Sequence, residues 1–235
     1  MADAATHASP WRRGLLYAGA PAACWYALMV GVGLLLASAG PGLAEAEGAV
    51  TTALVDSRTP WWDSATHIAS VVANTGTIVA TALVFGLALR ALYGGWLEPL
   101  VLWAGVALQS AMFLLTTLVV SRPRPEVEQR DPAPPTSSFP SGHTGAGTAL
   151  YLGLALLLAG RVTRRGSRIA LVVVLLLVPL AVGASRLYRG MHHPSDVVVG
   201  LLNGTAAVLI ARFAIFHRVG DDDAAPASAR RQPPG

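Results

Sequence analysis

Six long apolar runs leave this chain few folds to choose from. They cover about residues 14–39, 68–92, 96–120, 142–160, 169–184 and 197–216. Each is close to the roughly 20 residues a helix needs to cross a bilayer. Lipid offers the backbone no hydrogen-bond partners, so a spanning segment must satisfy its own N–H and C=O groups, as a helix does. Composition agrees: 53% of the 235 residues are hydrophobic and 13% charged, against about 25% charged in soluble domains. The predicted fold is therefore all-α, a bundle of six transmembrane helices. Pro179 predicts a kink in the fifth. No internal repeat is visible, and one domain over residues 14–217 holds all six spans.

The first run, with Arg12-Arg13 before it and Ala37-Ser38-Ala39 at its end, resembles a signal peptide. It is much longer than a signal core of about 7–15 residues and reads as a retained span. Residues 40–62 connect the first two spans, and their apolar spacing predicts a short interfacial helix. Every basic side chain that is not histidine is arginine. With the abundant Ala, Gly and Pro, this suggests a bacterial source and hence the bacterial inner membrane. The cluster Arg161, Arg164, Arg165 and Arg168 marks the cytoplasmic side. Residues 1–13 are then a cytoplasmic N-terminal segment, residues 218–235 a disordered cytoplasmic tail, and the interfacial helix is extracytoplasmic. Trp11, Trp61, Trp62 and Trp96 fall at span ends, as interfacial tryptophans do. The net charge of +4 comes from arginines at the ends of apolar runs, not from one basic stripe, so no nucleic-acid partner is expected. The lone cysteine, Cys24, reads as a small buried hydrophobe.

Two polar connectors stand out. SRPRPEVEQRDPAPPTSSFPSGHTGAG, residues 121–147, joins the third and fourth spans, and SRLYRGMHHPSD, residues 185–196, joins the fifth and sixth. Two spans separate them, so both emerge on one face, the outer one by the arginine distribution. They bring together Arg122, Arg124, Ser141, His143, Arg186, Arg189, His192, His193 and Asp196. A guanidinium fork matches phosphate bidentately and keeps its charge. Pro140-Ser141-Gly142-His143 sits where a helix begins, with free N–H groups and the positive dipole end, and Gly142 lets the backbone approach closely. The parts suggest a phosphate cradle.

His192 and Asp196 are four apart, so one helical face can carry both. The aspartate is then expected to accept the Nδ1 proton and leave Nε2 free to attack phosphorus. His193 adjoins His192, and either ring could face Asp196. His143 is placed to protonate a leaving oxygen and activate water. Arg189 either touches phosphate or is a solvated loop arginine. Glu126, Glu128 and Asp131 read as solvated loop charges, and Asn74, Thr75 and Thr77 as helix-contact residues. His7, His67 and His217 have no partner at useful spacing.

These residues resemble the type-2 phosphatidic acid phosphatase and vanadium haloperoxidase superfamily, whose signature is K-x6-R-P, P-S-G-H and S-R-x5-H-x3-D. Residues 140–143 match the second part, and Ser185-Arg186, His192 and Asp196 the third. The six-span layout is similar to the membrane branch, over residues 60–217. The first part departs: Arg124-Pro125 fit, but the lysine position holds Thr117, and counting from Arg122-Pro123 it holds Leu115. Arg122 is the candidate for the missing charge. The resemblance implies a metal-independent lipid phosphatase without cofactor. In it His192 forms a phosphohistidine, His143 is the acid and base, and Asp196 orients His192. Arg124, Arg186, Ser141 and the Gly142 amide hold phosphate oxygens. The implied substrate is an isoprenoid diphosphate such as the undecaprenyl carrier, or phosphatidate and its relatives. The alternatives are phosphotransfer to a lipid or sugar hydroxyl, and lipid-phosphate binding without turnover.

Overall fold

The computed structural model describes residues 14–132 and 135–224. A π-helical turn at Leu15–Gly19 leads into α1 (Ala20–Ala37). Then follow α2 (Pro41–Asp56), α3 (Pro60–Val71), α4 (Thr75–Tyr93), α5 (Leu97–Val119), α6 (Gly142–Leu158), α7 (Arg165–Tyr188) and α8 (Pro194–Ala224). A 3₁₀ turn, Ala159–Arg161, extends α6. Among the described residues there is no strand, and six helices are long and apolar enough to span a membrane. The all-α six-span bundle is thus the fold of the chain.

Between the first two spans the structure departs from expectation. Two helices, not one, lie there, and the second span begins at Thr75 rather than near residue 68. The start signal of α3 is local. Thr59 accepts a hydrogen bond from the Trp62 N–H at 3.3 Å, Pro60 opens the helix, and Asp63 sits in its first turn. Both short helices turn polar residues inward and apolar ones outward. Glu47 and Thr51 of α2 and Thr66 and Ser70 of α3 are buried, while Leu43, Val50, Trp61 and Ile68 are exposed. That inversion suits helices lying at a membrane surface. Gly94, at φ 74°, ends α4 in the left-handed conformation that favours glycine.

Helices α5, α6 and α8 form the centre, with α7 against α6. Lipid tails are as apolar as leucine, so close contact must come from small residues and interhelical hydrogen bonds. A Cβ added at Gly204 of α8 would lie 2.4 Å from the Gly145 carbonyl oxygen of α6. Trp25 Nε1 donates to Asn203 Oδ1 at 3.1 Å, and Asn203 Nδ2 donates to the Gln109 carbonyl at 3.3 Å, joining α1, α8 and α5. Leu102, Leu150, Leu154 and Val208 fill the space between. Cys24 is exposed on the outward side of α1, not buried, because that part of α1 has no described helix outside it. α8 continues to Ala224, so residues 218–224 of the expected disordered tail are helical. Residues 1–13 and 225–235, including His7 and Trp11, lie outside the described residues.

Candidate active site

The two polar connectors meet at one end of the bundle, and backbone hydrogen bonds lock them. The Ser141 N–H donates to the Asp196 carbonyl at 3.0 Å, tying the start of α6 to the start of α8. Within residues 121–141 the Ser138 N–H donates to the Arg122 carbonyl at 2.9 Å, and Ser138 Oγ to the Pro123 carbonyl at 2.9 Å. The Phe139–Pro140 peptide is cis, and Phe139 is fully buried.

A cavity of about 370 Å³ opens beside them. Its polar wall carries Arg124, Gly142, His143, Arg186 and His192. Its apolar wall comes from α4 and α5, with Ile78, Val79, Val106, Phe113 and Leu114. His192 is 4% exposed, and its Nδ1 donates to the Ser138 carbonyl at 2.7 Å. A carbonyl can only accept, so the neutral ring keeps its proton on Nδ1 and its lone pair on Nε2. Burial, then the charges of Arg186 and Arg124, push the imidazole well below its usual value and keep it neutral. His143 Nε2 lies 2.8 Å from Asn74 Oδ1. Asn74 stands at the N-cap of α4 without capping it, its side chain turned to His143 instead.

The two cavity arginines are held at one edge only. Arg124 Nη1 donates to the Met191 carbonyl at 2.7 Å. Arg186 Nη1 donates to Ser70 Oγ at 2.6 Å and Asp131 Oδ2 at 2.5 Å. The Nε–H of each is buried with no hydrogen-bond partner among the described residues. A buried unpaired donor costs about 1–3 kcal/mol, more when charged, so neither guanidinium is fully satisfied by the described protein groups. Burial also works against the charged form of Arg124, with only Asp196 opposing.

A family model described as the PAP2 superfamily matches residues 98–219, just over half of the chain. The chain belongs to that superfamily. A Mycobacterium tuberculosis protein named decaprenylphosphoryl-5-phosphoribose phosphatase is 36% identical over 110 residues. That match covers 46% of this chain and 55% of the relative, so the chain spans about half of that relative's length. The Arabidopsis thaliana probable lipid phosphate phosphatase 4 is 35% identical over 85 residues, covering 34% of this chain and 27% of that protein. Two solved structures share the fold. The transmembrane PAP2-type phosphatidylglycerolphosphate phosphatase of Bacillus subtilis aligns with TM-score 0.67 and 17% identity, covering 90% of this chain and 98% of its own. Aquifex aeolicus LpxE aligns with TM-score 0.57 and 21% identity, covering 69% of this chain and 92% of its own.

Within this PAP2 chain several polar side chains make contacts other than those expected from the sequence. Asp196 Oδ2 lies 3.9 Å from His192 Nδ1 and instead accepts the His193 N–H at 2.8 Å. The Ser138 carbonyl takes the place expected for Asp196, because the connector brings it closer. Arg122 does not line this cavity. It is 7% exposed, pairs with Asp196, and holds Glu47 at 2.5 Å. Ser141 is fully buried, its hydroxyl 2.8 Å from that of Thr144, and also does not line the cavity. Asp131 is no solvated charge: Arg189 reaches its Oδ1 at 2.6 Å, alongside Arg186 on Oδ2. Burial alone raises its carboxyl, but the Arg189 hydrogen bonds and the charges of Arg186 and Arg189 hold it down to about 2. Arg189 is itself buried in that pairing, neither solvated nor on the cavity wall. Thr117 also stands off the cavity wall, its hydroxyl donating to the Leu114 carbonyl at 2.7 Å.

Glu47, Asn74 and the Ser138 carbonyl were not among the residues expected to matter. The signal for Glu47 lay in its being an acidic residue in a largely apolar stretch beside a membrane, which is costly unless paired. Among the described residues no group of three or more His, Cys, Asp or Glu stands close enough to hold a metal ion.

Proposed function

We propose that the protein is a membrane lipid phosphatase that works through a phosphohistidine on His192. The observation that carries this is that the side chains of Arg124 and Arg186 line the same cavity as His143 and as His192, whose Nδ1 contact to the Ser138 carbonyl leaves Nε2 with its lone pair. Two guanidinium groups on the wall beside a neutral imidazole suit a phosphoryl group and its attacking nucleophile. Amide groups at the start of α6, at Gly142 and His143, add donors at the positive dipole end.

In the reaction so read, the Nε2 lone pair of His192 attacks phosphorus. The bond from phosphorus to the ester oxygen breaks, and its electron pair leaves with that oxygen, which takes a proton from the imidazolium of His143, a ring protonated once the substrate's phosphate charge is bound. The Ser138 carbonyl, on the Nδ1 proton, stabilises the positive phosphoimidazole. His143 then removes a proton from water as its oxygen attacks phosphorus. The P–N bond breaks, its electrons return to Nε2, and inorganic phosphate departs. Asp196 acts through the His193 N–H and its charge near the ring, not through a direct hydrogen bond.

The apolar wall from α4 and α5 suits a lipid tail in the bilayer while the phosphate stays among the arginines. An isoprenoid-linked phosphate is the substrate class we favour, in keeping with the decaprenyl group in the mycobacterial relative's name. By the arginine distribution the site faces outward from a bacterial inner membrane. Purified protein in micelles, given a prenyl diphosphate, a prenyl monophosphate or phosphatidate with a chelator present, should release inorganic phosphate from at least one. His192→Ala should release none. No release from any of them overturns the reading, and label passing to an acceptor alcohol in place of water would make it a phosphotransferase.

A further inference from the structure

We infer that Glu47, on the surface helix α2, is a positioning residue that sets the start of α8 for the reaction. The inference rests on the phosphatase reading for its kinetic consequences, not for its geometry. Glu47 is 6% exposed although most of α2 is exposed. Its Oε1 accepts the Ser195 N–H at 2.8 Å, and its Oε2 accepts from Arg122 Nη2 at 2.5 Å. Ser195 is the second residue of α8, so its N–H has no partner within the helix. A carboxylate from a distant helix thus does the work of an N-cap side chain.

The contact does not stop there. Arg122 Nη1 donates to Ser195 Oγ at 2.8 Å and to Asp196 Oδ1, and Asp196 Oδ2 holds the His193 N–H. The order is carboxylate, guanidinium, carboxylate, each side chain at most 7% exposed. It ends on the backbone immediately after His192. Without Glu47, the Arg122 guanidinium keeps one counter-charge of two and is free to pull Asp196 off the His193 N–H. Arg122, expected from the sequence to be a phosphate ligand, is on this geometry the link between α2 and the catalytic turn.

Two readouts test this. In hydrogen exchange, Glu47→Gln should speed exchange in peptides covering residues 191–199 and leave the first turn of α6 unchanged. That measurement needs no turnover, so it separates failure of this inference from failure of the phosphatase reading. In the phosphate-release assay, Glu47→Gln should lower kcat by about 10- to 100-fold, the scale of a small misplacement at the reacting centre. KM and competitive inhibition by inorganic phosphate should stay within about threefold, because Arg124 and Arg186 are untouched. In an Arg122→Met background, adding Glu47→Gln should cost less than about threefold more, since Glu47 acts through Arg122. Where Glu47→Gln does not yield folded protein, Glu47→Asp, which keeps the charge and loses reach, carries the same expectations. Unchanged exchange in 191–199, or a folded variant with kcat within about twofold of the parent, overturns the inference. So does full multiplicative loss in the Arg122→Met background.

Discussion

Replacing Asp131 with asparagine removes the carboxylate that pairs with Arg186, on the cavity wall, and with Arg189, off it. Its folded pKa of about 2 against an ordinary 3.8 is a depression. The group therefore contributes stability that is fully present above the unfolded value and is lost as pH falls through the folded one. At about 1.36 kcal/mol per unit, the neutral-pH contribution is about 2 kcal/mol. Roughly half of it remains at about pH 3. The contacts to Arg186 and Arg189 are what hold the carboxyl down, so their loss in the variant is already contained in that figure. For a chain of this size it corresponds to a Tm lower by roughly 5 °C. Thermal unfolding of parent and Asp131→Asn in the same micelle, at about pH 7, 5, 4 and 3, provides the check. The gap should be widest at neutral pH and shrink below about pH 5 as the parent alone loses its carboxylate. Equal Tm at neutral pH, or a gap that does not narrow on acidification, refutes the reasoning.

Three further outcomes follow from the contacts. Arg124→Ala should raise the inhibition constant of inorganic phosphate by about tenfold or more, whereas Arg122→Ala should lower kcat and leave that constant within about threefold; competitive inhibition kinetics decide it. Thr117→Lys should leave kcat/KM within about threefold of the parent, because residue 117 stands off the cavity wall. Asn74→Leu, which removes the acceptor on His143 Nε2, should lower kcat by about tenfold with little change in phosphate inhibition.

The six spans were legible because lipid demands uninterrupted apolar helices, and the meeting of the two connectors followed from counting spans. Boundaries were harder. Ile68 and Val71 read as part of a span, yet Thr59 and Pro60 start a separate surface helix that ends there. Of the candidate site, side-chain chemistry in the sequence picked out four residues that line one cavity: Arg124, His143, Arg186 and His192. The rest was obscure where tertiary contact decides. Nothing in the identity of Ser138 announces that its carbonyl, rather than Asp196, takes the Nδ1 proton of His192. Arg122 and Arg124 are two residues apart and equally cationic, so only the fold shows that one faces Glu47 and the other the cavity. Asp131 looked like one of several loop acids, and its pairing is with arginines more than fifty residues away.

The central claim is that the Nε2 of His192 takes the phosphoryl group. Rapid quenching of the enzyme with lipid substrate labelled in its phosphate, followed by peptide mapping under alkaline conditions, tests it most directly. The label should sit on the peptide carrying His192, accumulate in His143→Ala and be absent from His192→Ala. Turnover by the parent with no bound label at any quench time, or label that persists in His192→Ala, would contradict it.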